Sequence, residues 1–395
     1  MSSLSWLDTS SREHRRALEA IRLLAEPGTV DELGLGTVRD SLADQLFPGT
    51  STIQTRARYF LFIPWTYQIV ERSRRADSAA KLAREIAVRL IDAIGDVPGN
   101  IGREARSRLR RLPSAIYWQG LGRLRIRRFA GSVDRLHRVL DGQAQMVQAL
   151  LDDSREPILG GYEGHWHPGL PPAPKAFPRD VTLDLTGREA DYLRERIVTA
   201  APSSAFAHWV QAEAPDDQVG FPWDAPRARS LPVAARDLLE HARCFSELML
   251  GAALLYNLLL AQKRGDSELE ADYTGRLGEW SGQIARRRAA HDRWELREFW
   301  QHVRNGNPRF RDRTRVFIEQ WHTLAMAGPG SVARSERARR LIADREQALK
   351  GHLARLSNPR QLELWRGASG TGQMDYRWGD PVQTMVREIL EALAQ

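Results

Sequence analysis

This sequence reads as a mainly α-helical protein in two parts, a helix-turn-helix-like N-terminal part followed by a helical C-terminal domain. Three observations point there. Apolar residues recur at helical spacing in segment after segment, as in residues 76–94, where Leu82, Ile86, Leu90, Ile91 and Ile94 share one face. Hydroxyl residues followed three positions later by Glu, the spacing of a capping box, open several of these segments. Excess positive charge is concentrated at one end: residues 1–155 carry 25 Lys+Arg against 18 Asp+Glu, whereas residues 156–395 carry 33 against 32.

Ser10 and Glu13 give the first capping spacing, ahead of Leu18, Ile21, Leu24 and Ala25 at helical intervals, and Pro27-Gly28 stops that helix. Thr29 and Glu32 repeat the spacing. Val38, Leu42 and Leu46 form one face of a short helix. Pro48-Gly49 then turns the chain, and Thr50 or Ser51 is expected to cap the next helix. Helix, tight turn, helix is the outline of a helix-turn-helix. Ser51, Thr52, Gln54, Thr55, Arg56 and Arg58 would line the first two turns of its second helix. Hydroxyls and free N–H groups there favour an anion, and Gln and Arg suit base edges. The same residues also fit a plain capped helix with solvated arginines. Tyr59–Tyr67 is predicted to be a buried helix kinked at Pro64, with a strand over 58–63 as the alternative.

After the helix at 76–94, a loop leads into a basic helix expected over 101–111. Pro113-Ser114 opens a second segment built like the first, with aromatics and then arginines. Arg103, Arg106, Arg108, Arg123, Arg125, Arg127 and Arg128 are its candidate phosphate contacts, and residues 123–128 also fit a short wing-like strand. Residues 101–143 hold 11 Arg and 3 acids. Only four of the 58 basic residues are Lys, as codon bias in a GC-rich genome produces, but such bias does not cluster charge. A further helix follows over 134–151.

Gly and Pro crowd residues 160–178, which places the parts at 1–158 and 181–395 with a linker over 159–180. His165 and His167 lie in it, an H-x-H pair that ligates a metal only if a third ligand folds in. Thr186 and Glu189 cap a helix to Val198. A short helix over 206–210 and a loop over 216–232 precede the longest and most apolar helix, 233–263. On a helix expected over 267–305, His291, Glu295, Glu298 and His302 would share a face, and Glu319 and His322 follow on the next. A di-iron site needs two Glu-x-x-His motifs, and one is present. Arg286, Arg287, Arg288 and Arg297 would balance the same face as a solvated surface. Helices over 309–327, 331–356 and 381–393 complete the chain.

Several activities are excluded. A single cysteine, Cys244, rules out a disulfide framework and a cysteine zinc site. The N-terminus lacks a signal-peptide core, and the apolar run Met249–Leu260, interrupted by Gly251 and Asn257, is too short for a bilayer, so a cytoplasmic protein without membrane contact is expected. The sequence has no Walker A loop, no G-x-G-x-x-G after a strand, no G-x-S-x-G and no H-E-x-x-H. With four lysines in all, a lysine-dependent nuclease core has almost nowhere to sit, and neither Lys175 nor Lys263 follows an acidic residue at its spacing. No catalytic residue, metal or cofactor is therefore assigned.

Ser5-Trp6-Leu7-Asp8, the stretch from Phe47 to Trp65, Ser114–Leu121, the Pro-rich Leu170–Phe177 and Asp375-Tyr376-Arg377-Trp378 occur in the order seen in a bacterial family, domain of unknown function 6361. The chain resembles that family over nearly its whole length. The resemblance carries no activity or catalytic residues; it implies a setting similar to components of phage-defence or DNA-mobility islands. The expected function is a non-enzymatic nucleic-acid-binding component, with DNA, or alternatively RNA, on the basic part and protein partners on the C-terminal helices. A protein-interaction scaffold without nucleic acid and a metal-dependent hydrolase are the alternatives.

Overall fold

The computed structural model describes residues 31–73, 78–152 and 164–395. The helix expected at 10–25, the Thr29 cap, Ser5–Asp8 and residues 159–163 of the linker lie outside these residues. Fifteen α-helices occupy the described chain: α1 (Gly36–Leu46), α2 (Tyr59–Arg72), α3 (Ala79–Ile94), α4 (Pro113–Arg123), α5 (Val133–Asp152), α6 (Gly187–Ala200), α7 (Ala205–Trp209), α8 (Val233–Arg264), α9 (Ser267–Arg286), α10 (Arg288–Asp292), α11 (Leu296–Gly306), α12 (Asp312–Ala327), α13 (Glu336–Lys350), α14 (Pro359–Glu363) and α15 (Thr384–Leu393). No strand ladder forms among them. The wing-like strand at 123–128 reduces to one antiparallel bridge, Arg127 to Trp166.

Two compact units divide the chain, and neither is continuous in sequence. One, here the aromatic unit, joins Ala43–Leu239 to Asp375–Gln395. The other, here the long-helix unit, joins Glu240–Met374 to the described residues up to Leu42. The expected linker at 159–180 is therefore not the divide. Its described residues are drawn into the aromatic unit by their rings: Trp166 is buried, Phe177 stacks on Phe62 with centroids 5.9 Å apart, and the Pro171 carbonyl accepts the Trp65 indole N–H at 2.7 Å.

In the aromatic unit, α2 is the core helix. Every residue from Tyr59 to Tyr67 is buried, because an unbroken apolar run leaves no face for water. The helix runs through Pro64 without a break from Tyr59 to Arg72. It packs on α3 and α4, and α15 packs on α6. A ring cluster of Phe47, Trp209 and Trp378 holds the ends of the unit's two chain segments together, with centroids 4.6–6.2 Å apart. Thr186 caps α6 through the full capping box expected from sequence. Its hydroxyl accepts the Glu189 N–H at 3.3 Å, and Glu189 accepts the Thr186 N–H at 3.0 Å.

The long-helix unit is built on α8, 32 residues and so about 48 Å long. By length and composition α8 could cross a membrane, but 83% of its apolar window is buried in protein, as in a core helix. Two tryptophans grip one turn of it: Trp280 donates to the Glu247 carbonyl (2.8 Å) and Trp321 to the Leu248 carbonyl (3.0 Å). Gly251 makes this possible, since a Cβ there would lie 2.3 Å from the Trp280 ring. A largely buried network of ion pairs and hydrogen bonds ties residues 31–35 to α13 and the segment after it. Glu32 pairs with Lys350 and with Arg355 (2.5 Å), and Glu346 accepts from Tyr256 (2.5 Å) and Lys350 (3.1 Å). Arg345 donates to the Leu33 carbonyl at 2.9 Å.

The helix expected over 267–305 is in fact three. Arg287 leaves helical geometry between α9 and α10, and residues 294–295 do so between α10 and α11. The first break coincides with the Arg287 guanidinium reaching back to Glu240 (2.6 Å) and Glu247 (3.1 Å).

Candidate nucleic-acid interface

The loop after α1 is longer than a helix-turn-helix turn. Residues 47–58 form turns and extended backbone, and the next helix begins at Tyr59, not at Thr50 or Ser51. The polar residues of this loop hold it against its own unit. The Thr50 hydroxyl donates to the Phe47 carbonyl at 2.7 Å, and Gln54 donates to the Gly49 carbonyl at 3.1 Å while accepting the Ser51 N–H at 3.2 Å. Thr55 donates to the Gly99 carbonyl at 2.7 Å. The Tyr117 hydroxyl accepts the Thr55 N–H at 2.8 Å and donates to the Arg56 carbonyl at 2.9 Å; burial raises its pKa strongly, which keeps it a neutral donor. The close approach of α4 requires Gly120, where a Cβ would sit 2.2 Å from the Gly49 carbonyl oxygen.

The two arginines of this loop point inward. Arg58 is 6% exposed and donates to the Thr182 carbonyl (3.0 Å) and the Glu189 carboxylate (2.8 Å). Arg56 pairs with Glu388 of α15 and lies 3.6 Å from Asp184. Glu388 also accepts the Ala57 N–H at 2.7 Å. Thr50, Gln54 and Arg58 are thus buried supports, Thr55 and Arg56 are tied to internal partners, and only Thr52 is exposed, with Ser51 half-buried. The reason is charge pairing over long sequence distance. The carboxylates that neutralise these arginines stand more than 120 residues downstream, where no local spacing signals them.

The second arginine group behaves differently. Residues 101–112 form turns with a single 3-10 turn, Arg106–Arg108, instead of the expected helix. Arg103 and Arg106 are exposed and make loose pairs with Asp96 (3.6 Å) and Asp92 (4.0 Å). Pairs this open contribute little. Arg108 and Arg110 are exposed, and neither guanidinium has a hydrogen bond or ion pair among the described residues. Pro113, well suited to a first helical position, starts α4, and Arg123 ends it. Arg123 and Arg125 are also exposed and unpaired among the described residues, and Arg128 is exposed. Arg127 is not available in this way. Its guanidinium lies over the Trp118 ring, 4.7 Å from the centroid, donates to the Phe129 and Gly131 carbonyls, and is pushed down in pKa by burial. Because α4 has 11 residues, the arginines before and after it stand about 16 Å apart along its axis. Arg110 belongs to this surface although the reading of residues 101–111 as a basic helix did not single it out.

The metal candidates separate. His165 bonds Glu71 at 2.9 Å, while His167 faces Arg196 at 2.8 Å, so the H-x-H pair serves two partners on different helices. His291 is buried against Glu247 (3.1 Å), Glu295 stands before α11, Glu298 is exposed 3.9 Å from His241, and His302 rests against the His241 ring. The breaks around α10 remove the common face these residues would have had on one helix. Glu319 pairs with Arg315 at 2.8 Å. No cluster of three or more His, Cys, Asp or Glu suited to a metal occurs among the described residues.

A family model described as a family of unknown function (DUF6361) matches residues 1–392. No curated protein and no solved structure matches the chain.

Proposed function

We propose, from the premise that this chain belongs to the DUF6361 family over nearly its whole length, that it is a non-enzymatic nucleic-acid-binding component of a bacterial, defence-type system. One observation carries the reading. Arg108, Arg110, Arg123 and Arg125 are exposed guanidiniums without a carboxylate or carbonyl partner among the described residues, in a stretch whose 11 Arg face only 3 acids. Charges left unneutralised on one folded unit suit a polyanion, which releases counterions when they reach its phosphates. The loop at 50–58 no longer belongs to this surface; its role is to shape the unit that carries it.

The test is binding of the full-length chain to a labelled 30-base-pair duplex between 50 and 200 mM salt. Affinity is expected to fall steeply with salt, and Arg→Ala at 108, 110, 123 and 125 together is expected to lower the slope of log K against log salt by about 3–4. No binding at 50 mM salt, or an unchanged slope in the fourfold variant, would overturn the proposal. Arg56 and Arg58 are unsuitable for this test because their loss disturbs internal ion pairs.

A further inference from the structure

We infer that residues 304–315 of the long-helix unit form a second nucleic-acid contact, fitted to a single strand. The inference rests on the reading above and extends it to a surface that the near-neutral charge of residues 156–395 conceals. The segment, Arg304-Asn-Gly-Asn-Pro-Arg-Phe-Arg-Asp-Arg-Thr-Arg315, holds five Arg and one acid. It connects α11 to α12 through a turn in which Asn307 accepts the Phe310 N–H on its carbonyl (3.0 Å) and the Arg309 N–H on its side chain (3.1 Å). Arg309, Arg311 and Arg313 are exposed, and none of their guanidiniums has a hydrogen bond or ion pair among the described residues. The acid, Asp312, lies 3.6 Å from Arg304, both well exposed.

Between two of these free charges sits an aromatic ring on a firm support. Phe310 stacks on Trp300 with centroids 5.3 Å apart and planes 22° from parallel. Trp300 is itself 3% exposed, and the Arg315 guanidinium, held by Glu319 at 2.8 Å, lies 6.0 Å from its ring centroid. Phe310 remains partly exposed. A ring held in place by a buried neighbour and flanked by unpaired guanidiniums offers stacking to a base and charge to the phosphates beside it. A duplex keeps its bases stacked on one another and uses only the charges. An acidic peptide likewise leaves the ring unused. The single strand is the partner that uses both features.

The experiment measures binding of the full chain to a fluorescent 12-residue oligodeoxythymidine and to an abasic strand of equal length, across salt. Arg→Ala at 309, 311 and 313 together is expected to lower the salt slope by about 2. Phe310→Leu is expected to weaken oligodeoxythymidine binding roughly tenfold and abasic binding hardly at all, with Phe310→Trp restoring it. An unchanged slope in the triple variant, or equal weakening of both strands by Phe310→Leu, would sink the inference. If Phe310→Leu lowers thermal stability, the triple arginine variant, whose side chains hold nothing in place, decides. The 108, 110, 123 and 125 variant is measured alongside. Binding lost there and untouched by changes at 309–313 leaves the proposed function standing and removes this contact; no binding by the unaltered chain removes both.

Discussion

Glu189 uses its two carboxylate oxygens for two tasks. One accepts the Thr186 N–H and closes the capping box of α6; the other accepts the Arg58 guanidinium, and both side chains are nearly buried. Removing it frees the Thr186 N–H, although the Thr186 hydroxyl still caps α6, and strands a buried positive charge, worth about 3–5 kcal/mol. Glu189→Ala should therefore lower unfolding free energy by roughly 4 kcal/mol in urea denaturation, while the double change Glu189→Gln with Arg58→Met, which leaves neither charge unpaired, should cost much less. Equal costs for the two would show that the pairing does not matter. The capping box was legible in the sequence because its partners stand three residues apart. The Arg58 pair was not, since its partner stands 131 residues away and only the fold brings them together. An arginine beside small hydroxyls looks the same in sequence whether it faces a phosphate or a distant glutamate.

Helices with a continuous apolar face, such as α2, α3 and α8, could be read directly, because burial of that face is what makes them helices. The break between α9 and α10 could not. Residue 287 is neither Gly nor Pro, and the break coincides with its reach to acids on α8. Glu247 on α8 is the centre of that arrangement, with Arg243 (2.8 Å), Arg287 (3.1 Å) and His291 (3.1 Å) around it. Burial alone would raise its carboxyl, but the hydrogen bonds from His291 and Arg243 and the Arg287 charge outweigh this and bring it from 4.5 down to about 2. A folded-state value below the unfolded one means stability that is present above pH ~4.5 and lost as pH falls towards 2, on the order of 3 kcal/mol in all. Urea titrations at pH 5, 4 and 3 should show the native chain losing stability more steeply than Glu247→Gln. Parallel lines for the two proteins would rule the arrangement out as the acid-sensitive point.

At the scale of the molecule, Gly and Pro density suggested a divide at 159–180, but aromatic residues scattered through that stretch fasten it to α2. The division observed instead follows pairings no linear reading reveals. The aromatic unit needs its last segment: α15 packs on α6, Arg377 donates to Asp44 and to the Thr50 carbonyl at 2.7 Å each, and Trp378 completes the ring cluster. A chain ending at Met374 should therefore lose the near-ultraviolet circular dichroism of the buried tryptophans and become open to protease cleavage within 43–239. Retention of both properties would mean that the unit stands without its closing segment.

The order of biosynthesis gives this interleaving a temporal side. A ribosome delivers residues 43–239 first and the segment that completes them only after all of 240–374. At ordinary elongation rates that delay is on the order of ten seconds. During it the face of α6 that α15 will cover is bare, and Arg56 has no Glu388 to meet. The nascent chain must stay soluble through that interval, so a period of exposure to aggregation falls during translation itself.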